Sequence, residues 1–126
     1  MSQKIIFIVD DDPLMHVLYK GHLERAGYNL VTAKDGEEVQ ELAIREKPGL
    51  IFMDIMMARM DGISALRVLK SNEETKSIPV IIISGNAVTY DAARREAMNA
   101  GAAGFLSKPF SPASLFAEVQ KTLPGS

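Results

Sequence analysis

The sequence predicts an α/β fold, a parallel sheet with helices on both faces, and three observations predict it. Five short apolar runs recur along the chain: Lys4 to Val9, Tyr28 to Thr32, Leu50 to Met53, Val80 to Ser84 and Gly104 to Ser107. They are continuous rather than alternating, as in strands covered on both faces. The segments between them have helical spacing, so strand and helix alternate along the chain, the pattern of right-handed βα units.

The first strand is followed by Asp10, Asp11 and Asp12. Asp12 and Pro13 then start the first helix, a capping side chain followed by a residue whose fixed φ suits the first turn. Met15, Leu18, Tyr19, His22, Leu23 and Ala26 recur at i, i+3, i+4, i+7, i+8 and i+11, a stripe expected to face inward, and Gly27 is placed to end the helix. His16 is expected to face solvent and His22 to pack at a boundary. The second helix carries Val39, Leu42 and Ala43 on one face and stops at Lys47-Pro48-Gly49. Asp61 is a turn or cap residue, and Asp61-Gly62 opens a third helix with Ile63, Leu66 and Leu69 inward. Ser71 to Lys76 reads as a polar loop. The alanine-rich fourth helix spans Tyr90 to Asn99, and the last runs from Ser111 or Pro112 to Leu123.

Composition narrows the function. The chain has 126 residues, 47% of them hydrophobic and 24% charged, which fits one globular domain. With no cysteine there is no disulfide framework, thiolate metal site or cysteine nucleophile. Fourteen basic against 16 acidic residues leave a net charge of −2, so no direct binding to nucleic acid or to an anionic membrane is expected. No apolar run approaches the roughly 18 residues of a membrane span, and the amino terminus has no secretory signal, so a cytoplasmic location is expected.

In an open α/β sheet, ligands bind beyond the carboxyl ends of the strands. Those ends carry Asp10 to Asp12, Asp54, Ser84 and, after the fifth strand, Lys108. If the first and third strands are neighbours, their carboxylates converge. Two of them about 5 Å apart repel by roughly 3 kcal/mol at an effective dielectric near 20. Such a cluster needs a cation, and hard oxygen donors without a thiolate or a histidine cluster favour Mg²⁺ or Mn²⁺. Met53, Met56, Met57 and Met60 are read as packing or docking residues, not as a soft-metal site. A carboxylate beside a divalent ion, an ammonium and a hydroxyl suits acceptance of a phosphoryl group.

At Ile8-Val9-Asp10-Asp11, Met53-Asp54, Met60-Asp61-Gly62, Ser84-Gly85 and Phe105 to Phe110 with its Lys108-Pro109 pair, the chain resembles the CheY-like response-regulator receiver domains of two-component signalling. The resemblance implies a single doubly wound, flavodoxin-like (βα)5 domain over residues 1–126, with a core of about 4–123 and sheet order 2-1-3-4-5. It implies Asp54 as the phosphoryl acceptor, and Asp11, Asp54 and the Met56 backbone carbonyl as Mg²⁺ ligands, with Asp10 joining through water. Lys108 and Ser84 would contact the phosphoryl oxygens. Ser84 and Phe105 would form the switch that repacks the face of the fourth helix, fifth strand and fifth helix, read by a downstream protein partner. The phosphodonor would be a sensor histidine kinase or a histidine phosphotransfer protein. The domain would contribute catalysis to its own phosphorylation and dephosphorylation without being an enzyme on a free metabolite. Ala58 departs from the family, which usually has proline there. With no output domain after the last helix, the chain is expected to be a stand-alone receiver or part of a longer protein.

Other readings fit less well. A haloacid-dehalogenase-like phosphatase would use Asp10 and Asp12 as its Asp-x-Asp pair, but Leu14 replaces its usual threonine or valine and no late acidic pair follows Lys108. A flavodoxin-type electron carrier would need a hydroxyl- and glycine-rich phosphate loop where this chain has Asp10-Asp11-Asp12-Pro13. A receiver-fold interaction module that works without phosphorylation is the alternative that the complete residue set argues against.

Overall fold

Ile6 and Ile8 point to one face of the first strand and Phe7 and Val9 to the other, and all four are essentially inaccessible to solvent. That pattern requires helices on both sides of the sheet. The computed structural model, which describes residues 5–34, 36, 38–55, 61–85, 90–108 and 110–123, has them. In chain order the elements are β1 (Ile5–Val9), α1 (Pro13–Arg25), β2 (Asn29–Ala33), α2 (Val39–Glu46), β3 (Leu50–Asp54), α3 (Gly62–Lys70), β4 (Val80–Ser84), α4 (Tyr90–Asn99), β5 (Gly104–Ser107) and α5 (Pro112–Thr122). The five strands are parallel in the order β2-β1-β3-β4-β5, as expected.

Each face has its own core. Phe7, Val9, Ile51, Met53, Val80 and Ile82 pack under Val39, Ala43, Ile63, Leu66, Leu69 and Ala97 of α2, α3 and α4. On the opposite face Ile6, Ile8, Leu50, Phe52, Ile81 and Ile83 pack under Tyr19, Leu23, Leu115 and Val119 of α1 and α5. Each such large apolar side chain contributes about 1.5–3 kcal/mol by leaving water.

The helix starts follow the predicted chemistry. Asp12 caps α1 by accepting from the Leu14 N–H at 3.0 Å, Asp61 caps α3 by accepting from the Ser64 N–H at 2.8 Å, and Ser111 caps α5.

The phase of α1 differs from the expectation. Tyr19 and Leu23 are buried and Met15 is half-buried, but Leu18 is 47% exposed and Ala26 is also exposed. Leu14 and Val17 face outward too, so apolar residues surround this helix and spacing alone does not select the side that meets the sheet. His16, expected in solvent, is half-buried, with Nε2 2.5 Å from the Asp10 carbonyl oxygen. In the polar loop after α3, Thr75 is fully buried and donates its hydroxyl to the Leu69 carbonyl at 2.6 Å. Among the described residues, no helix is long and apolar enough to cross a membrane.

Candidate functional site

Register brings the expected residues together. Val9 pairs with Met53, so Asp10, which follows β1, and Asp54, which ends β3, emerge side by side at the carboxyl end of the sheet. Ser84 pairs with Ser107, and the next amide, that of Lys108, donates to the Ser84 carbonyl at 2.8 Å. From there the Lys108 side chain reaches back across the sheet. Its Nζ lies 2.8 Å from Asp54 Oδ2 and 3.2 Å from Asp10 Oδ2.

Carboxylate oxygens of Asp10, Asp11 and Asp54 all lie within 4.8 Å of one another. Asp10 and Asp54 are buried and Asp11 is exposed, so the cluster has a hydrophobic floor and an open side. One hard divalent cation, with water completing its shell, fits these donors. Beneath them Tyr19 stacks on Phe52 at 5.9 Å between ring centroids and packs tilted against Phe110 at 5.7 Å.

The electrostatics follow from burial and neighbours. Burial raises the Asp10 carboxyl above its ordinary value; the Asp12 N–H bond opposes this, the Asp54 charge reinforces it and Lys108 offsets it. Burial alone would lower the Lys108 ammonium, but the hydrogen bond and charge of Asp54, then those of Asp10, hold it above its ordinary value. The two directions are compatible because Lys108 faces two carboxylates, whereas Asp10 is almost wholly removed from water. Burial, followed by the charges of Asp10 and Asp54, also drives the Tyr19 hydroxyl far upward, so it stays neutral.

Ser84 is buried at the end of β4 next to this group. Phe105 is half-buried on β5, paired with Ile82 and packed against the core under α2, α3 and α4. Asp12 and Asp61 serve as caps. Met56 and Ala58 lie outside the described residues.

Two residues near the acids have roles that sequence did not disclose. Gly62 donates its N–H to the Ile55 carbonyl at 2.9 Å. A Cβ there would run into the Asp54 carbonyl oxygen and come within 2.8 Å of the Ile55 Cα, so glycine is required beside the end of β3. His16 touches the Asp10 backbone. The Asp61-Gly62 pair marks a helix start in sequence, but its approach to β3 is tertiary.

Comparison with known proteins agrees with this fold. The pattern of the response regulator receiver domain family matches residues 6–120. The chain is 34% identical over 123 residues to the alkaline phosphatase synthesis transcriptional regulatory protein PhoP of Bacillus subtilis, covering 98% of this chain and 49% of that protein. It is 35% identical over 118 residues to the DNA-binding dual master transcriptional regulator RpaA of Synechocystis, covering 94% of this chain and 48% of that protein. The chain thus spans about half the length of these curated relatives. Its fold superposes with a TM-score of 0.86 and 30% identity on the receiver domain of the sensor histidine kinase PA1611 from Pseudomonas aeruginosa, covering 97% of this chain and 98% of that one. That structure has a magnesium ion coordinated in its active site cleft. With the family's pattern matched over residues 6–120 and the sheet order that the solved receiver domain shares, the chain belongs to the response regulator receiver domain family.

Proposed function

We propose that this chain is a single receiver domain in which Asp54 accepts a phosphoryl group from a phosphohistidine on a sensor histidine kinase or histidine phosphotransfer protein. The observation that carries this reading is Lys108 Nζ held against both Asp54 and Asp10, with Asp11 completing an acidic cluster on the open side. Asp10, Asp11 and Asp54 would hold Mg²⁺, which supplies positive charge to the phosphoryl oxygens when bound.

A carboxylate oxygen of Asp54 attacks phosphorus. The new P–O bond forms as the P–N bond breaks, and the electron pair leaves with the imidazole nitrogen of the donor. Lys108 neutralises charge on the transferring oxygens, and the Ser84 hydroxyl donates to one of them. In the separate dephosphorylation step, water attacks phosphorus, the P–O bond to Asp54 breaks, and inorganic phosphate leaves with Asp54 a carboxylate again. The domain thus contributes catalysis to both steps on itself. Recruitment of Ser84 toward the phosphoryl group lets Phe105 turn inward, and the face of α4, β5 and α5 becomes the readout for a partner protein. A net charge of −2 favours a protein rather than nucleic acid as the direct contact of this domain, in the cytoplasm.

Intact mass and phosphorylation-sensitive electrophoresis after incubation with acetyl phosphate test this, with and without Mg²⁺, for the wild type and Asp54→Asn. Mg²⁺-dependent labelling lost in Asp54→Asn is expected. Absence of labelling with both acetyl phosphate and a phosphohistidine donor would favour an interaction module that works without phosphorylation, and label retained at Asp10 would favour a phosphatase-type nucleophile.

A further inference from the structure

Asp10 is held at every polar atom. Its N–H donates to the Ala33 carbonyl at 3.1 Å, its Oδ1 accepts from the Asp12 N–H at 2.9 Å, and its Oδ2 faces Lys108 at 3.2 Å. These three contacts come from the strand ladder, from the turn into α1 and from the site itself. The fourth is different. The carbonyl oxygen of Asp10 lies beyond Val9, the last residue of β1 in register with either neighbouring strand. Its contact is a side chain six residues along the chain, His16 Nε2, at 2.5 Å. A carbonyl can only accept, so Nε2 carries the hydrogen of this bond.

The Asp10 carbonyl and the Asp11 N–H belong to one planar peptide, so fixing that oxygen fixes the direction in which the chain enters Asp11. This matters because the Asp11 side chain is poorly held. It is exposed, and among the described residues no hydrogen bond fixes its carboxylate. Its place in the cluster with Asp10 and Asp54 therefore depends on its backbone. The His16 ring also borders the cleft lined by Asp10, Asp11, Pro13 and Lys34.

We propose that His16 is a positioning residue for cation binding: through the Asp10 carbonyl it holds the Asp10–Asp11 peptide so that both carboxylates face the cation. The inference rests on the reading that Asp10, Asp11 and Asp54 bind a divalent cation. It assigns His16 no contact with that cation and no part in proton transfer. Glutamine places an amide nitrogen where histidine has Nε2 and can donate the same bond, whereas alanine cannot.

The test is isothermal titration of the whole chain with MgCl₂ alone, for wild type, His16→Ala and His16→Gln, with thermal unfolding of each in EDTA. Loss of a group that orients metal ligands typically weakens affinity by about tenfold or more. His16→Ala should weaken Mg²⁺ binding by about that factor, and His16→Gln should recover most of it, with the two variants melting alike in EDTA. Wild-type affinity in His16→Ala overturns the proposal, as does a His16→Gln variant that binds as weakly as alanine. A wild type that takes no Mg²⁺ overturns the cation site itself and this inference with it, an outcome distinct from one confined to the variants.

Discussion

Lys108 Nζ lies 2.8 Å from Asp54 Oδ2, although 54 residues separate them in the chain. The same ammonium also faces Asp10, so in the absence of a divalent ion it is the charge that lets two buried carboxylates coexist. Removing it should act in opposite directions on chemistry and on cation binding. Lys108→Met is expected to slow labelling by acetyl phosphate by about 100-fold, the usual effect of deleting one preorganised charge-stabilising group. It should tighten Mg²⁺ binding, because the carboxylates then lack their internal counter-charge. Mass-resolved labelling rates and Mg²⁺ titration check the two halves.

Gly62 packs its backbone onto the peptide that follows Asp54. Gly62→Ala should destabilise the fold by about 1–3 kcal/mol through forced backbone displacement, and should reduce labelling of Asp54 even where the variant is fully folded. Urea unfolding, followed by labelling rates well below the transition, separates the two effects.

Asp10 gives a pH-dependent expectation. Its folded-state pKa is raised, chiefly by burial, so its ionised form is less favourable folded than unfolded. The stability this group contributes is fully present below its unfolded value, near 3.8, and is lost as pH rises through the raised folded value. Asp10→Asn should therefore be more stable than wild type at neutral pH in EDTA. The gap should open as pH rises from about 3.8 and then level off. The same variant should bind Mg²⁺ poorly, a trade of stability for function. Unfolding free energies across pH for both proteins, paired with Mg²⁺ titration, would show the gap, and equal stability at all pH values would refute it.

Lys70 is a control remote from the acids. Its Nζ donates to the Lys76 carbonyl at 3.0 Å and to the Ile78 carbonyl at 2.7 Å, tying the end of α3 to the segment that leads into β4. Burial lowers its pKa, yet two carbonyls depend on its hydrogens. Lys70→Met keeps the aliphatic stem and should cost about 1–3 kcal/mol through the unsatisfied acceptors. Asp54 labelling should be unchanged. Thermal unfolding and the labelling assay together check this.

Much of this was legible in the sequence because strand chemistry is local. Continuous apolar runs marked five strands, and Asp12-Pro13 and Asp61-Gly62 marked helix starts. Parallel strands put the polar residues after β1, at the end of β3 and after β5 at one end of the sheet, while the strand order that makes them neighbours came from the family resemblance. The phase of α1 was not legible, because Leu14, Val17 and Leu18 are as apolar as the residues that face the sheet. Nor were the contacts of His16, Thr75 and Gly62. Each is a polar or small residue whose partner is a backbone atom, and backbone atoms leave no mark in a sequence.

The order in which the site's parts leave the ribosome follows from the sheet. All three acids have been synthesised by residue 54, but the lysine that faces two of them arrives only with residue 108, just after the strand at the sheet's edge. A nascent chain that stops short of residue 108 therefore holds the carboxylates of Asp10, Asp11 and Asp54 without the ammonium that faces two of them. Under the proposed function, unfinished or nicked chains that lack Lys108 should take up little phosphoryl group, so competence would arrive only with the last part of the site to be made.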